Sequence, residues 1–187
     1  MALLVLGILL WACTHLMPSV SPSTKVSLVG KLGEGGYKGI FSLSLLLAIA
    51  LMVIGWRSID QPDYLYFLPA WTRHAGMLVV VIGFVLMGAA NYPSRIKRVI
   101  RHPQLTGFTL WALAHLAMNG DSRSVVLFGG LAIWAILEII FINKRDREWV
   151  KPEAPAWSRE VIGVVISLVV VVLFVAIHPW IAGVAIR

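Results

Sequence analysis

Apolar residues in this chain fall into six long runs separated by short polar stretches. The runs cover about residues 2–17, 39–56, 72–91, 104–119, 122–142 and 161–183. A helix needs about 20 mainly apolar residues to cross roughly 30 Å of hydrocarbon, and each run is near that length. A segment in lipid must also satisfy its own backbone hydrogen bonds, as an α-helix does. The pattern therefore predicts an all-α fold, a polytopic integral membrane bundle of about six transmembrane helices.

The segment between the first two runs, residues 18–38, predicts a surface helix. Its apolar residues recur at helical spacing beside Lys25 and Lys31, which is typical of an interfacial amphipathic helix. The glycine-rich stretch 33–39 lacks the preceding strand and the Ser or Thr after Lys38 that a phosphate-binding loop requires, so it predicts a flexible lead into the second span. No internal repeat or low-complexity linker divides the chain, and residues 1–187 are predicted to form one transmembrane domain.

Composition and charge agree with a membrane protein. The chain is 59% hydrophobic, with a mean hydropathy of +0.85. A net charge of +7 would suit nucleic acid only as a basic face on a soluble domain, and none is predicted. Of the 16 Lys and Arg residues, 12 lie in the loops after the first, third and fifth runs, namely Lys25, Lys31, Lys38, Arg95, Lys97, Arg98, Arg101, Lys144, Arg145, Arg147, Lys151 and Arg159. The positive-inside rule makes that face cytoplasmic, with both termini outside.

The fourth run carries the best candidate chemistry. Gly107, Trp111, His115 and Asn119 recur every fourth residue, so they lie on one helix face as a gap, an aromatic plate, an imidazole and an amide. A flat macrocycle suits such a face, and neutral imidazole is a common ligand of haem iron. The alternative is that His115 bonds to a backbone carbonyl or to Asn119 and serves helix packing. Spacing alone leaves both readings open.

The other histidines fall at different depths. His102 lies about 20 Å from His115 along the helix, so the two belong to different sites. His74 begins the third span at a depth similar to that of His115. The two side chains could therefore face each other. His15 is nearer the cytoplasm, and pairing it with His115 would need a tilted cofactor or a displaced first helix. Glu138, a carboxylate well inside a span, is predicted to pair with Arg101 or His102 at the same end.

Several motifs resemble the NnrU family. They are His15-Leu16-Met17-Pro18-Ser19, residues 32–42, and Arg101-His102-Pro103 through Trp111 and His115 to Asn119-Gly120-Asp121. The likeness is strongest over residues 1–145. That family is named for a link to nitrite and nitric oxide reduction in denitrifying bacteria. The resemblance implies a membrane protein of nitrogen-oxide metabolism, with a respiratory membrane complex or a hydrophobic small molecule as partner besides the lipid bilayer.

The chain is also similar to the zeta-carotene isomerases of plastids and cyanobacteria. Those membrane enzymes use haem b to isomerise a cis double bond in a carotenoid. The resemblance implies haem b as cofactor, His15 and His115 as axial ligands, and Arg101-His102-Pro103 as a shared motif. The isomerases carry a cysteine three residues before the ligand histidine, where this chain has Ala112. A mechanism that depends on that thiolate is therefore not implied here.

A third likeness belongs to another class of protein. Arg101-His102-Pro103, with Gly107 four residues on, also occurs in membrane methyltransferases that bind S-adenosylmethionine. Their further C-terminal pattern is missing between Arg147 and Glu160. The sequence thus leaves three hypotheses: a haem-binding and isomerase-like NnrU protein, a non-enzymatic membrane factor that assembles or regulates respiratory reductases, and a methyltransferase.

Overall fold

Residues 1–183 form six α-helices and a short 3-10 helix. A computed structural model describes residues 1–183, so Arg187, one of the predicted outward-facing cations, lies outside the described residues. The helices are α1 (Ala2–Val20), α2 (Pro22–Arg57), α3 (Trp71–Ala89), α4 (Pro103–Met118), α5 (Ser122–Asp146) and α6 (Trp157–Ala182), and the 3-10 helix is Arg95–Arg98. The predicted all-α membrane bundle is confirmed.

Five of the six helices are long and apolar enough to cross a membrane. The exception is α4, whose 16 residues extend about 24 Å at 1.5 Å per residue. It nevertheless packs along most of its longer neighbour α5. Its first turn is joined to the end of α5 by the His102 imidazole, which lies 2.9 Å from Asn143 Oδ1, and its last turn leads through Asn119 and Gly120 directly into the start of α5. All six described helices therefore belong to one bundle.

The helices pack in a row whose order differs from the order in sequence. The principal contacts join α2 to α1, α1 to α5, α5 to α4, α4 to α3, and α3 to α6. Small residues allow the close approaches. A Cβ added at Gly55 would lie 2.4 Å from the backbone nitrogen of Leu4, which places α1 and α2 in backbone contact. The two outermost helices of the row, α2 and α6, expose apolar side chains that suit contact with lipid.

The segment after α1 differs in detail from its prediction. Helix α1 continues through Pro18 to Val20, and α2 begins at Pro22 instead of at residue 39. Gly33 interrupts α2 with φ 71° and ψ 166°, a conformation that favours glycine because it has no Cβ. The arm Pro22–Leu32 is thus a separate short helix before the kink, as the amphipathic pattern predicted. The flexible lead predicted for residues 33–39 is wrong, since the chain is helical again immediately after Gly33.

Hydrogen bonds between loops show which helix ends share a side. On one side the loop before α3 crosses the α4–α5 turn, where Gly120 O accepts from Leu65 N at 2.8 Å and Asp63 O accepts from Ser122 N at 2.8 Å. On the opposite side Arg95 Nε donates to Pro155 O at 3.0 Å, which joins the third and fifth loops. The predicted grouping of those two basic loops on one face is therefore confirmed.

The outward turn is held by its own side chains. Asp121 caps α5, accepting from Ser124 N at 3.0 Å and from the Ser124 hydroxyl at 2.6 Å. The Tyr66 hydroxyl donates to Leu116 O at 2.5 Å. Burial and the nearby Asp121 raise the pKa of the Tyr66 phenol, so this hydroxyl stays protonated and keeps donating across the physiological pH range. The turn is a rigid connection that fixes α4 beside α5.

Candidate functional site

The candidate site is built around His115 in α4. Its Nδ1 lies 2.8 Å from the carbonyl oxygen of Trp111, one turn earlier. A carbonyl only accepts, so Nδ1 carries the proton and Nε2 of the neutral ring keeps its lone pair. The indole of Trp111 lies beside the imidazole, with ring centroids 4.5 Å apart, and Phe128 of α5 lies against it at 4.5 Å. The imidazole is oriented and enclosed by aromatic side chains.

The same arrangement occurs a second time, around His15 in α1. His15 Nδ1 lies 3.0 Å from the carbonyl oxygen of Trp11, and the two ring centroids are 4.4 Å apart. Trp134 of α5 and Phe41 of α2 contact the same imidazole, at 4.9 Å and 5.6 Å. No residue of the described range 1–183 forms a hydrogen bond with Nε2 of either His15 or His115. Each ring therefore presents a free acceptor nitrogen of the type that binds metal.

These hydrogen bonds bear on the packing alternative. The bond from each imidazole stays within its own helix, so it does not join two helices. The predicted contact between the amide of Asn119 and the His115 ring is not formed, because Asn119 Nδ2 donates to the backbone carbonyl of His115. His115 contributes to packing through its ring face only.

The two imidazoles do not touch each other. Within residues 1–183, ring contacts connect them through Trp134, Phe108 and Trp111, at centroid distances of 4.5 to 5.4 Å. Phe128, beside His115, and Trp134, beside His15, are six residues apart on α5, which corresponds to about 9 Å of depth. An imidazole nitrogen binds a metal at about 2 Å. Ligation of one iron by both rings would therefore require these aromatic side chains to move aside.

The structure separates His74 from the site. Gly76, two residues after it, faces α4, because a Cβ there would lie 2.7 Å from the Met118 side chain. Two residues correspond to 200° around a helix, so His74 lies on the opposite side of α3 and is exposed. The predicted pairing of His74 with His115 is wrong, because similar depth does not give the same face.

The space at Gly107 is also filled. A Cβ added to Gly107 would lie 2.3 Å from the carbonyl oxygen of Gly83 and 2.9 Å from Met87 N, both in α3. The gap predicted beside Trp111 is thus occupied by the backbone of a neighbouring helix. Gly107 allows α3 and α4 to approach closely, as small residues do in membrane bundles.

The Arg101-His102-Pro103 motif lies at the other end of α4 and fixes the chain that leaves α5. The Arg101 guanidinium donates to the carbonyl oxygens of Arg147 and Glu148, at 3.2 Å and 2.6 Å. The His102 ring bonds to Asn143, and Pro103 begins the helix, where its missing N–H costs nothing. The structure gives the motif a clear structural role and places it away from His115, as the depth difference predicted.

Glu138 has a partner that the sequence did not suggest. Its Oε1 accepts a hydrogen bond of 2.5 Å from the hydroxyl of Ser19 in α1. The predicted ion pair with Arg101 or His102 is wrong, because Glu138 faces α1 and those residues bind the last turn of α5 and the chain after it. No group of three or more His, Cys, Asp or Glu able to hold a metal ion occurs in the described part of the chain.

An open groove of about 620 Å³ lies beside the Arg101-His102-Pro103 motif. Its lining includes cationic, acidic and aromatic side chains, among them Lys97, Arg101, His102, Asp146, Glu148 and Trp149. The volume falls in the range of small-molecule sites. The groove faces the side of the bundle that carries the basic loops.

The pairing of Trp11 with His15 was not predicted, although a signal was present. The spacing Trp-x-x-x-His occurs twice, at 11–15 and at 111–115, and places both rings on one helix face. A comparison of the two segments within the chain would have identified the repeat.

Comparison with known proteins identifies one family. The family model described as NnrU protein matches residues 3–186, nearly the whole chain. No curated protein and no solved structure matches the chain. The match extends beyond residue 145 and includes α6.

Proposed function

Since the chain belongs to the NnrU family, we propose that it binds haem b between its transmembrane helices, with His115 as an axial ligand. The observation that carries the proposal is the repeated Trp-His unit. In both units Nδ1 is held by the carbonyl four residues earlier, and Nε2 keeps a free lone pair in an aromatic, apolar setting. Metal-binding histidines typically use one ring nitrogen in this way and bind the metal with the other.

The donor chemistry fits haem b, which imidazole nitrogens bind in many proteins. His115 is the first proposed ligand, because it shares its helix with the Arg101-His102-Pro103 motif that resembles the isomerases, and Trp111 and Phe128 border its ring. His15 is the proposed second ligand. Its use on the same iron requires the Trp134, Phe108 and Trp111 rings to leave the space between the two histidines.

A bound haem b would supply a redox-active iron with an exchangeable axial position. The residues of this chain would hold the ligand imidazole in one tautomer, exclude water with aromatic side chains and admit an apolar substrate from the bilayer. We assign the protein to the bacterial inner membrane, where it serves nitrite and nitric oxide metabolism directly or acts as an isomerase-like enzyme. The resemblance to the two families supports these roles.

Spectroscopy of the purified protein tests the proposal. Protein purified in detergent from haem-replete cells is expected to show a Soret band that shifts on reduction with dithionite. A haemochrome assay should give close to one haem b per chain. A colourless protein without iron porphyrin, produced in cells that load a control haem protein, would overturn the proposal.

The alternative is a membrane factor without catalytic activity that assembles or regulates a respiratory reductase. The enzymatic role and the assembly role can be distinguished by whether the protein converts a substrate and whether a reductase depends on it. An assembly factor predicts that a deletion strain loses reductase maturation while the purified protein leaves cis-polyenes unchanged. Isomerisation of a cis-polyene by the haem-loaded protein alone would contradict a pure assembly role.

The groove beside Arg101-His102-Pro103 favours a second candidate function, binding of S-adenosylmethionine. Its volume of about 620 Å³ and its mixed charges suit a zwitterionic nucleoside. The Arg101 guanidinium has fewer N–H groups left to bind a ligand, because it already donates to two carbonyl oxygens. Calorimetry with S-adenosylmethionine decides this point. Millimolar ligand half-fills a site with a binding free energy of about −4 kcal/mol and fills tighter sites further, so no heat of binding at that concentration removes the candidate.

A further inference from the structure

The seam between α1 and α5 contains a cluster of polar side-chain atoms, none of which is a candidate iron ligand. We define the seam cluster as Trp11 and Ser19 of α1 with Trp134 and Glu138 of α5. Trp134 and Glu138 are only 5% and 7% exposed. The two indole rings meet edge to face with centroids 5.5 Å apart, and Ser19 donates to Glu138 across the seam.

Three buried polar atoms of the seam cluster have no hydrogen-bond partner within residues 1–183. They are the indole nitrogens of Trp11 and Trp134 and the Oε2 atom of Glu138. Several other polar side chains in the spans are satisfied within their own helices. Examples are Ser44, Thr109 and Ser167, which donate to carbonyls four residues earlier. An unpaired polar atom in a membrane interior is costly because no water replaces the missing partner, so three in one seam make this seam a candidate ligand site.

The chemistry of these atoms defines the ligand. An indole N–H donates only, so two of the three atoms require an acceptor. The free carboxyl oxygen of Glu138 suits a hydroxyl group that can donate to it. The edges of two indoles also offer an apolar surface to a flat ring. A ring that carries both carbonyl and hydroxyl oxygens, soluble in the bilayer, satisfies all three.

We propose that the seam cluster binds the headgroup of a membrane quinone or quinol. The carbonyl or hydroxyl oxygens accept from the Trp11 and Trp134 N–H groups, and a quinol hydroxyl donates to Glu138 Oε2. Because α1 and α5 are both apolar candidate membrane spans, a bilayer-soluble quinone would approach the seam without crossing water. The inference goes beyond haem binding, since none of these three atoms is a candidate iron ligand.

Thermal unfolding of the full-length protein with decylubiquinone tests the site. A ligand that binds the folded state raises the unfolding midpoint with its concentration, and the saturation curve gives an affinity. Trp134→Phe and Trp11→Phe keep an aromatic ring and remove one N–H donor each. Loss of one hydrogen bond is expected to weaken decylubiquinone binding about tenfold in each variant. Glu138→Gln, of nearly the same shape, should selectively weaken binding of the reduced quinol.

The control is Trp56→Phe, because Trp56 contacts Arg123 and Phe128 outside the seam cluster. This variant should bind within twofold of the unsubstituted protein. All proteins are compared at the same measured haem content, so the outcome does not depend on haem. If the midpoint does not respond to decylubiquinone, or if the three seam-cluster variants respond like the unsubstituted protein, buried water or simple packing accounts for the cluster and the proposal fails.

Discussion

Replacement of His115 by Ala is expected to remove most of the bound haem. The substitution deletes the only nitrogen of the Trp111 unit whose lone pair is free, and Ala offers no ligand. Loss of a residue that merely supports a metal ligand typically lowers metal affinity 10- to 100-fold, so loss of the ligand itself should exceed about tenfold. The measurement is haem content per chain after purification from haem-replete cells, together with the reduced spectrum.

His74→Ala is the matched control for His115→Ala. It removes an imidazole from the exposed side of α3, so haem content and spectrum should match those of the unsubstituted protein. His15→Ala should alter the spectrum more than His74→Ala does, because His15 has the same free Nε2 as His115. Unchanged haem content and an unaltered reduced spectrum in His115→Ala would show that this imidazole is a packing residue.

The helices were predictable because the bilayer allows few alternatives. A spanning segment must be helical and close to a fixed length, so hydropathy alone located all six helices. The ends were harder to place. The first span was predicted to end near residue 17, yet α1 continues through Pro18 to Val20, since loss of one backbone hydrogen bond near a helix end is tolerated at the membrane surface.

The order of the helices in the row could not be read from hydropathy. Lipid-facing and helix-facing residues are equally apolar, so the hydropathy pattern does not indicate which helix packs against which. The error at His74 has this origin, because depth can be counted along a span but the side of the helix depends on which partner packs there. The placement of Glu138 failed for the same reason: its partner Ser19 belongs to a helix that is distant in sequence.

The candidate site was predictable within one helix and not between helices. The spacing of four residues correctly predicted that Trp111 and His115 lie side by side in α4. The same spacing also predicted a gap at Gly107, but only the structure shows that α3 fills it. A glycine on a helix face marks a close approach without saying whether a cofactor or another helix makes it.

Gly107→Ala is expected to destabilise the bundle even without a cofactor. The new methyl group would lie 2.3 Å from the carbonyl oxygen of Gly83 and 2.9 Å from Met87 N. Both are backbone atoms, which cannot rotate away, so α3 and α4 must separate. Forcing one extra carbon into a close-packed contact typically costs about 1–3 kcal/mol. The midpoint of thermal unfolding should fall by about 2–4 °C for each kcal/mol lost.

Gly129→Ala provides the control, because a Cβ at Gly129 of α5 meets no atom within 4 Å. This variant should unfold within a degree or two of the unsubstituted protein, since a surface methyl group changes stability by about 0.5 kcal/mol or less. The comparison also separates the two roles for Gly107. If Gly107→Ala lowers haem affinity while the haem-free protein unfolds at the same temperature as the Gly129→Ala variant, the glycine borders a cofactor. A loss of stability in the haem-free protein assigns it to the contact between α3 and α4.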